Sequence, residues 1–256
     1  DSDAMISYEV ASIRILDDDL SDEDKDILED TLAHDYEIDV NDKRILRICR
    51  KKKVQSYIKH KYNCCTKPAS DPAYIAENVL NREFKSDKPN EKWLTDVSEF
   101  KYGTGDDEKK GKIYLSVILD LCGKRPVAYE YSDHNDNPLV FNTFDKALAA
   151  NPGVTPLFHS DRGYQYTSKT FRQKIIDAGM NQSMSRVARC IDNGPMEGFW
   201  GIMKREMYYG KKYKTKDELI KAIEEYIDYY TNKRVQRNLC ILTPQEYYEK
   251  HLLEAA

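Results

Sequence analysis

The stretch KIYLSVILDL, residues 112–121, is a near-continuous apolar run of strand length. Such a run suits a strand covered on both faces, so the chain has to supply strands beside it and helices above and below. The flanking segments do so. KWLTDVSEFKY before it is β-like, and PVAYEY after it reads as a third strand, close enough in sequence for antiparallel hairpins. Helical and strand patterns then alternate. NPLVFNTFDKALAANPG puts Val140, Phe144, Ala147 and Leu148 on one helical face and stops at Asn151, Pro152 and Gly153. VTPLFHSD is a fourth strand, TSKTFRQKIIDAG a helix ended by Gly179, and MNQSMS a short fifth strand. This order predicts an α/β fold, a five-stranded mixed sheet with three antiparallel strands first and crossover helices after. Two capped helices follow: Thr215 with Glu218 and Thr243 with Glu246 fit the capping box, the second with Pro244 at its first position.

The front of the chain is built differently. Residues 1–43 hold 16 acidic and 3 basic residues out of totals of 44 and 40, which leaves 28 acidic and 37 basic residues after them. The net charge of −4 therefore hides a basic body behind an acidic head, and a nucleic-acid partner stays open. In the head, Ser21 before Asp22, Glu23 and Asp24 predicts a short acidic helix. NDKRILRICRKKKVQSYIKHK opens as a helix and continues as a basic stretch, with Arg50, Lys51 and Lys52 placed to neutralise phosphates. TKPASDP is a break and PAYIAENVLNREF a short helix. The expected organisation is an acidic segment over 1–40, a basic helical segment and linker over 41–88, and a core with C-terminal helices over 89–250. Six scattered cysteines read as reduced thiols, and His60 near Cys64 lacks the second ligand pair of a zinc site. With no long apolar run and no basic-then-apolar leader, neither a membrane nor secretion is expected, and the protein is expected in the cytoplasm.

Three carboxylates stand out. Asp96 sits inside a strand pattern that disfavours it, sharing a face with Leu94, Ser98 and Phe100; taken alone it is as readily an edge residue facing water. Asp161 follows the fourth strand in LFHSDRG, at the strand end where open α/β sheets bind ligands, or else is a turn residue before Gly163. Glu197 lies in IDNGPMEGFWGIMKREM, where Asn193 or Gly194 can cap and Pro195 open a helix, with Lys204 seven residues on along the same face. Converging carboxylates repel one another unless cations are present. Oxygen ligands without His or Cys select Mg²⁺ or Mn²⁺, and two such ions can stabilise both the attacking and the leaving oxygen of a phosphodiester displacement.

NREFKSDKPNEKWLTDVSEFKY, YLSVILDL, PLFHSDRGYQYTS, SMSRVARCIDNGPMEGFWGIMKRE and YIDYYTNKRVQRNLCILTPQEYY together resemble the insertion-sequence transposases of the IS-three group, over about residues 75–250. The resemblance includes the thirty-five residues between Asp161 and Glu197. It implies an RNase H-like, retroviral integrase-type core and two Mg²⁺ or Mn²⁺ ions held by Asp96, Asp161 and Glu197. It also implies DNA strand cleavage followed by strand transfer, acting on double-stranded DNA at terminal inverted repeats and at a target. Lys204, Arg162, Gln165 and Asn193 carry over as contacts near the DNA end; Arg162 and Gln165 read equally as turn and helix-entry residues. An upstream helix-turn-helix protein of the same element and a homo-oligomer on DNA are the implied partners. The chain departs from the family at its front, where LAHDYEIDVNDKRILRICR leaves only the second helix of a helix-turn-helix, residues 41–50, in view. The rival expectations are a nuclease of the same core that does not join strands, and a DNA-binding remnant without activity.

Overall fold

The computed structural model describes residues 22–52, 74–103, 110–186 and 190–255. Ser21 with the head before it, the basic run beyond Lys52 with His60 and Cys64, and the TKPASDP break lie outside the described residues. The chain divides into two compact units, residues 62–228 with 248–256 and residues 1–61 with 229–247.

The larger unit is built on one five-stranded sheet. Strand β1 (Lys92–Tyr102) pairs antiparallel with β2 (Gly111–Asp120), which pairs antiparallel with β3 (Arg125–Ser132). On its other side β1 meets β4 (Leu157–Ser160) in parallel, and β4 meets β5 (Asn181–Met184) in parallel, giving the order β3-β2-β1-β4-β5. This is the mixed sheet expected from the sequence. Gly111 lies opposite Tyr102, whose ring covers the space beside it. The β2–β3 turn is held by Asp120, whose carboxylate accepts the backbone N–H groups of Asn90 and Cys122 at 2.6 and 2.9 Å.

Helix α3 (Asn137–Ala150) starts where the Asp136 side chain accepts the Leu139 N–H, and α4 (Lys169–Asp177) where Ser168 accepts that of Phe171. Their apolar faces meet the sheet in a cluster containing Trp93, Phe144, Phe158, Tyr166 and Phe171. Phe171 is the hub, with ring centroids 5.4 Å from Phe144, 5.6 Å from Phe158 and 5.6 Å from Tyr166. Helix α5 (Gly194–Met203) runs into a single π-helical turn, Lys204–Tyr208, and α6 (Lys216–Asn232) and α7 (Pro244–Ala255) follow. Both expected capping boxes are present, with Thr215 and Glu218, and Thr243 and Glu246, exchanging side-chain and backbone hydrogen bonds.

The helix expected over PAYIAENVLNREF does not form in its described part, residues 74–84. Its backbone groups are used elsewhere. Tyr74 N–H reaches the Thr167 carbonyl, Leu80 N–H the Ser183 hydroxyl, and the Glu77 carbonyl accepts Met184 N–H. Partners beside β5 outcompete an i to i−4 ladder, and Asn81 and Arg82 turn the chain at positive φ of 44° and 63°.

In the smaller unit, α1 (Asp22–Tyr36) and α2 (Asp42–Lys52) share a core of Leu28, Leu32, Ile45 and Ile48. The helix preceding the basic one, hard to find in the sequence, is therefore the acidic helix itself. Its carboxylates have a partner in the same unit: Arg237 lies 2.5 Å from Asp26, 2.8 Å from Glu29 and 2.9 Å from Asp30. That contact gives residues 229–247, read in the sequence as the tail of the core, a reason to cluster with the head. No described helix is long and apolar enough to cross a membrane.

If Phe171 is the hub of the core, Phe171→Ala should lower unfolding free energy by about 3–5 kcal/mol in urea titrations. Ser168→Ala, which removes only the α4 cap, should cost about 1 kcal/mol. Equal losses for the two would remove Phe171 from that role.

Candidate functional site

Register places the first two carboxylates together. β1 and β4 pair through only three positions, ending at Leu94 opposite His159. Asp96, two residues past Leu94, is still in β1 opposite Val117, and Asp161, two past His159, follows the end of β4, so the two lie at the same level along the strands. There β1 turns from an antiparallel neighbour to a parallel one, the switch point at which open α/β sheets bind ligands. Each carboxyl is steered by one donor: Asp96 Oδ2 accepts the Trp200 indole N–H at 3.0 Å, and Asp161 Oδ1 the Gly163 N–H at 2.8 Å. Gly163 has no room for a side chain, because a Cβ would lie 3.0 Å from Asp161 Oδ1 and 3.1 Å from Gln165 Oε1.

The electrostatics follow from that juxtaposition. Burial first, and then the Asp161 charge, push the Asp96 carboxyl up to about 7, while the nearby Lys204 ammonium pulls it down. Burial raises Asp161 as well. Below the pair, the Tyr166 hydroxyl lies 3.2 Å from Thr95 Oγ1 and is held well above its usual range by burial and by both aspartates. The two anions repel, and an oxygen-seeking cation is the partner that relieves them.

Glu197 is not gathered with them. It is exposed in the first turn of α5, and among the described residues no three His, Cys, Asp or Glu side chains form a group that could hold a metal. The convergence of three carboxylates expected from the sequence is thus a pair in this structure, with the third on the neighbouring helix. Lys204 opens the π-turn after α5, its Nζ 5.2 Å from the Phe100 ring centroid and near enough to Asp96 to act on its charge. Single π-turns recur at functional sites.

The other expected DNA contacts are tied into the protein. Arg162 Nε donates to the Ser185 carbonyl at 2.7 Å. Gln165 is buried and donates to Asn135 Oδ1, and Tyr164 donates to the Asn135 carbonyl. Asn193 is buried, donates to the Thr95 carbonyl at 3.2 Å, and keeps Oδ1 without a hydrogen-bond partner. Arg50 and Lys51 are exposed on α2 of the smaller unit, and Lys52 ends that helix.

Two groups escaped the sequence reading. Asp192 is fully buried and accepts bonds from the Arg186 guanidinium and backbone, from Arg82 Nε at 2.7 Å and from Asn78 at 3.1 Å. The Arg186 hydrogen bonds, followed by that of Arg82, hold its carboxyl far below the usual range. His159, also fully buried, has Nδ1 2.9 Å from Ser183 Oγ and Nε2 3.1 Å from Ser185 Oγ. Both ring nitrogens are engaged, which removes this histidine as a metal ligand, and burial pushes it down to about 4. No local pattern announced either group: apart from Arg186, six residues before Asp192, their partners lie 24 or more residues away.

Two integrase core domain families match the chain, one over residues 86–190 and the other over residues 197–252. An uncharacterized transposase-like protein of Haemophilus influenzae is 36% identical over 219 residues, covering 82% of this chain and 94% of that protein. The putative transposase InsK for insertion sequence element IS150 of Escherichia coli is 39% identical over 173 residues, 67% of this chain and 59% of its own length. The transposase for insertion sequence element IS904 of Lactococcus lactis is 31% identical over 174 residues, 66% of each. Among solved structures, a chain of the cryo-EM structure of the simian T-cell lymphotropic virus intasome in complex with PP2A regulatory subunit B56 gamma superposes with a TM-score of 0.54. Its identity is 16%, and the match covers 82% of this chain and 67% of that one. The shared fold is the RNase H-like core of retroviral integrases.

The paired aspartates generate a pH signature. Between about pH 4 and about 7 the folded chain holds the Asp96 proton more tightly than the unfolded chain, so without divalent metal that stabilisation is lost as pH rises through about 7. His159 acts in the opposite sense, gaining stability as pH rises from about 4 to its ordinary 6.5, but is common to wild type and variant. Melting in chelator should show Asp96→Asn gaining on wild type between about pH 4 and 7 and keeping that gain above. Parallel melting profiles would contradict the buried-pair electrostatics.

Proposed function

This chain belongs to the insertion-sequence transposases that carry an integrase core domain, and we propose that it cleaves DNA at the ends of its element and transfers the freed strand into a target, dependent on divalent metal. The observation that carries the reading is the pairing of Asp96 and Asp161 across the β1/β4 switch point.

The donor set fits the cation. Two carboxylates crowd each other at an accessible sheet edge, and the one nearby imidazole is committed to serines. Asp96 and Asp161 would hold the first ion, and Glu197, one helical turn before Trp200 on α5, would join them for a second. When bound, Mg²⁺ or Mn²⁺ supplies Lewis-acid polarisation of the phosphodiester and stabilises its attacking and leaving oxygens. The rest falls to the chain. Lys204 lies near enough to Asp96 to act on its charge and would offset the charge of a phosphate bound there. The Arg162 and Gln165 bonds hold the loop carrying Asp161 in one shape, and Asn193 ties the start of α5 to the β1 backbone, so these three position the site. Arg50, Lys51 and Lys52 supply basic charge for the DNA backbone outside the core.

Double-stranded DNA, at terminal inverted repeats and at a target, is the substrate in this reading. A homo-oligomer on DNA and an upstream helix-turn-helix protein complete the proposal. The acidic head over 1–40, the basic helical segment over 41–88 and the catalytic core over 89–250 are its functional divisions.

Purified protein with Mg²⁺ should join an oligonucleotide bearing the element's end to a target strand. Asp161→Asn should lower joining by at least about three orders of magnitude, an upper share of what metal-site groups contribute. DNA retention in a gel-shift assay should stay within about threefold, since the change removes a ligand and no positive charge. A fully active Asp161→Asn protein would refute the site, and hydrolysis with no joined product would identify a nuclease instead.

A further inference from the structure

Trp200 is 6% exposed, and a phenylalanine or leucine would fill much of the space between Phe100 and Phe199, whose ring centroids lie 6.3 and 5.2 Å away. What those residues lack is the indole N–H, which donates to Asp96 Oδ2 at 3.0 Å. The chain's other tryptophan, the fully buried Trp93, donates to the Asn90 side chain at 3.2 Å and lies close enough to Asp120 to lower its carboxyl. The Trp200 bond joins two elements of the site, linking Asp96 on β1 to the helix that bears Glu197 three residues earlier.

We propose that Trp200 is a positioning residue for the cation site: its N–H fixes one carboxylate oxygen of Asp96 to α5, and cation affinity depends on that bond. The inference rests on the metal-binding reading of Asp96 and Asp161. The chemistry of the donor supports it. An arginine in that place would pair with the carboxylate and cancel the charge that attracts a cation, as Arg186 and Arg82 do for the buried Asp192. A neutral indole orients the same carboxylate and leaves its full charge. It can only donate, so it cannot swing round to compete as a ligand. Groups that orient a metal ligand in this way typically govern affinity by about 10- to 100-fold.

Two measurements test this, both on the full chain and neither reading activity. In the first, the Mg²⁺ concentration for half-maximal thermal stabilisation is compared between wild type and Trp200→Phe. The midpoint should rise about 10- to 100-fold in the variant, whereas a purely packing role lowers the melting temperature at every Mg²⁺ concentration and leaves the midpoint in place. An unchanged midpoint overturns the proposal. In the second, read on the wild-type protein itself, ¹⁵N–¹H spectra are recorded during Mg²⁺ titration. The indole resonance of Trp200, told from that of Trp93 by Trp93→Phe, should shift with the midpoint of the first measurement, and the Trp93 resonance should stay. Mg²⁺ binding that leaves the Trp200 resonance unmoved also overturns it. A wild-type protein that shows no Mg²⁺ response by either measurement overturns the underlying metal reading, a failure distinct from binding that ignores Trp200.

Discussion

The parallel pairing of β1 with β4 runs through only three positions, Lys92–Leu94 against Leu157–His159, and then stops. Everything at the site depends on where it stops. While the strands are paired, their backbone groups satisfy each other and their side chains enter a packed core. Two residues later Asp96, still paired with β2, and Asp161, just past the end of β4, emerge side by side. A slip of one residue would turn every side chain of the moved strand to the opposite face and send Asp161 away from Asp96. The aromatic cluster around Phe171 makes such a slip costly, because Phe158 on β4 would leave it. Core packing thus protects the register, and the register places the charge.

A second set of contacts governs the helix beside the pair. Asp192, buried among two arginines and an asparagine, anchors the turn before α5. Asn193, the next residue, donates to the Thr95 carbonyl, and Trp200 reaches Asp96 about two turns into the helix. Losing one partner of a buried, fully bonded carboxylate is costly, so this anchor resists movement. Glu197 lies between these fixed points yet stays exposed, so it adds no third buried charge to the repulsion of the aspartates.

The sheet was legible because its signals are local. The apolar run of β2, the hairpin spacings and the capped helices α3 and α4 all appear at their expected places. The segment over 74–84 misled because its helical periodicity is real, but its backbone finds partners in Ser183, Met184 and Thr167 that no local pattern encodes. Asp96 and Asp161 could be nominated from strand context and family resemblance, and their proximity required the register. Arg162, Gln165 and Asn193 show the limit of motif reading, since each makes a bond within the protein that the motif alone does not reveal. The acidic helix was legible in the head, but its partner was not, because Arg237, which pairs with three of its carboxylates, stands about two hundred residues away.

The central claim is that Asp96 and Asp161 form one cation site at the switch point. Anomalous diffraction from crystals soaked in Mn²⁺ tests it most directly. The account predicts an anomalous peak within coordination distance of oxygens from both aspartates, about 2.0–2.2 Å for a hard divalent ion of this size. A well-ordered site with no peak between the two carboxylates, or Mn²⁺ bound only elsewhere, would contradict it.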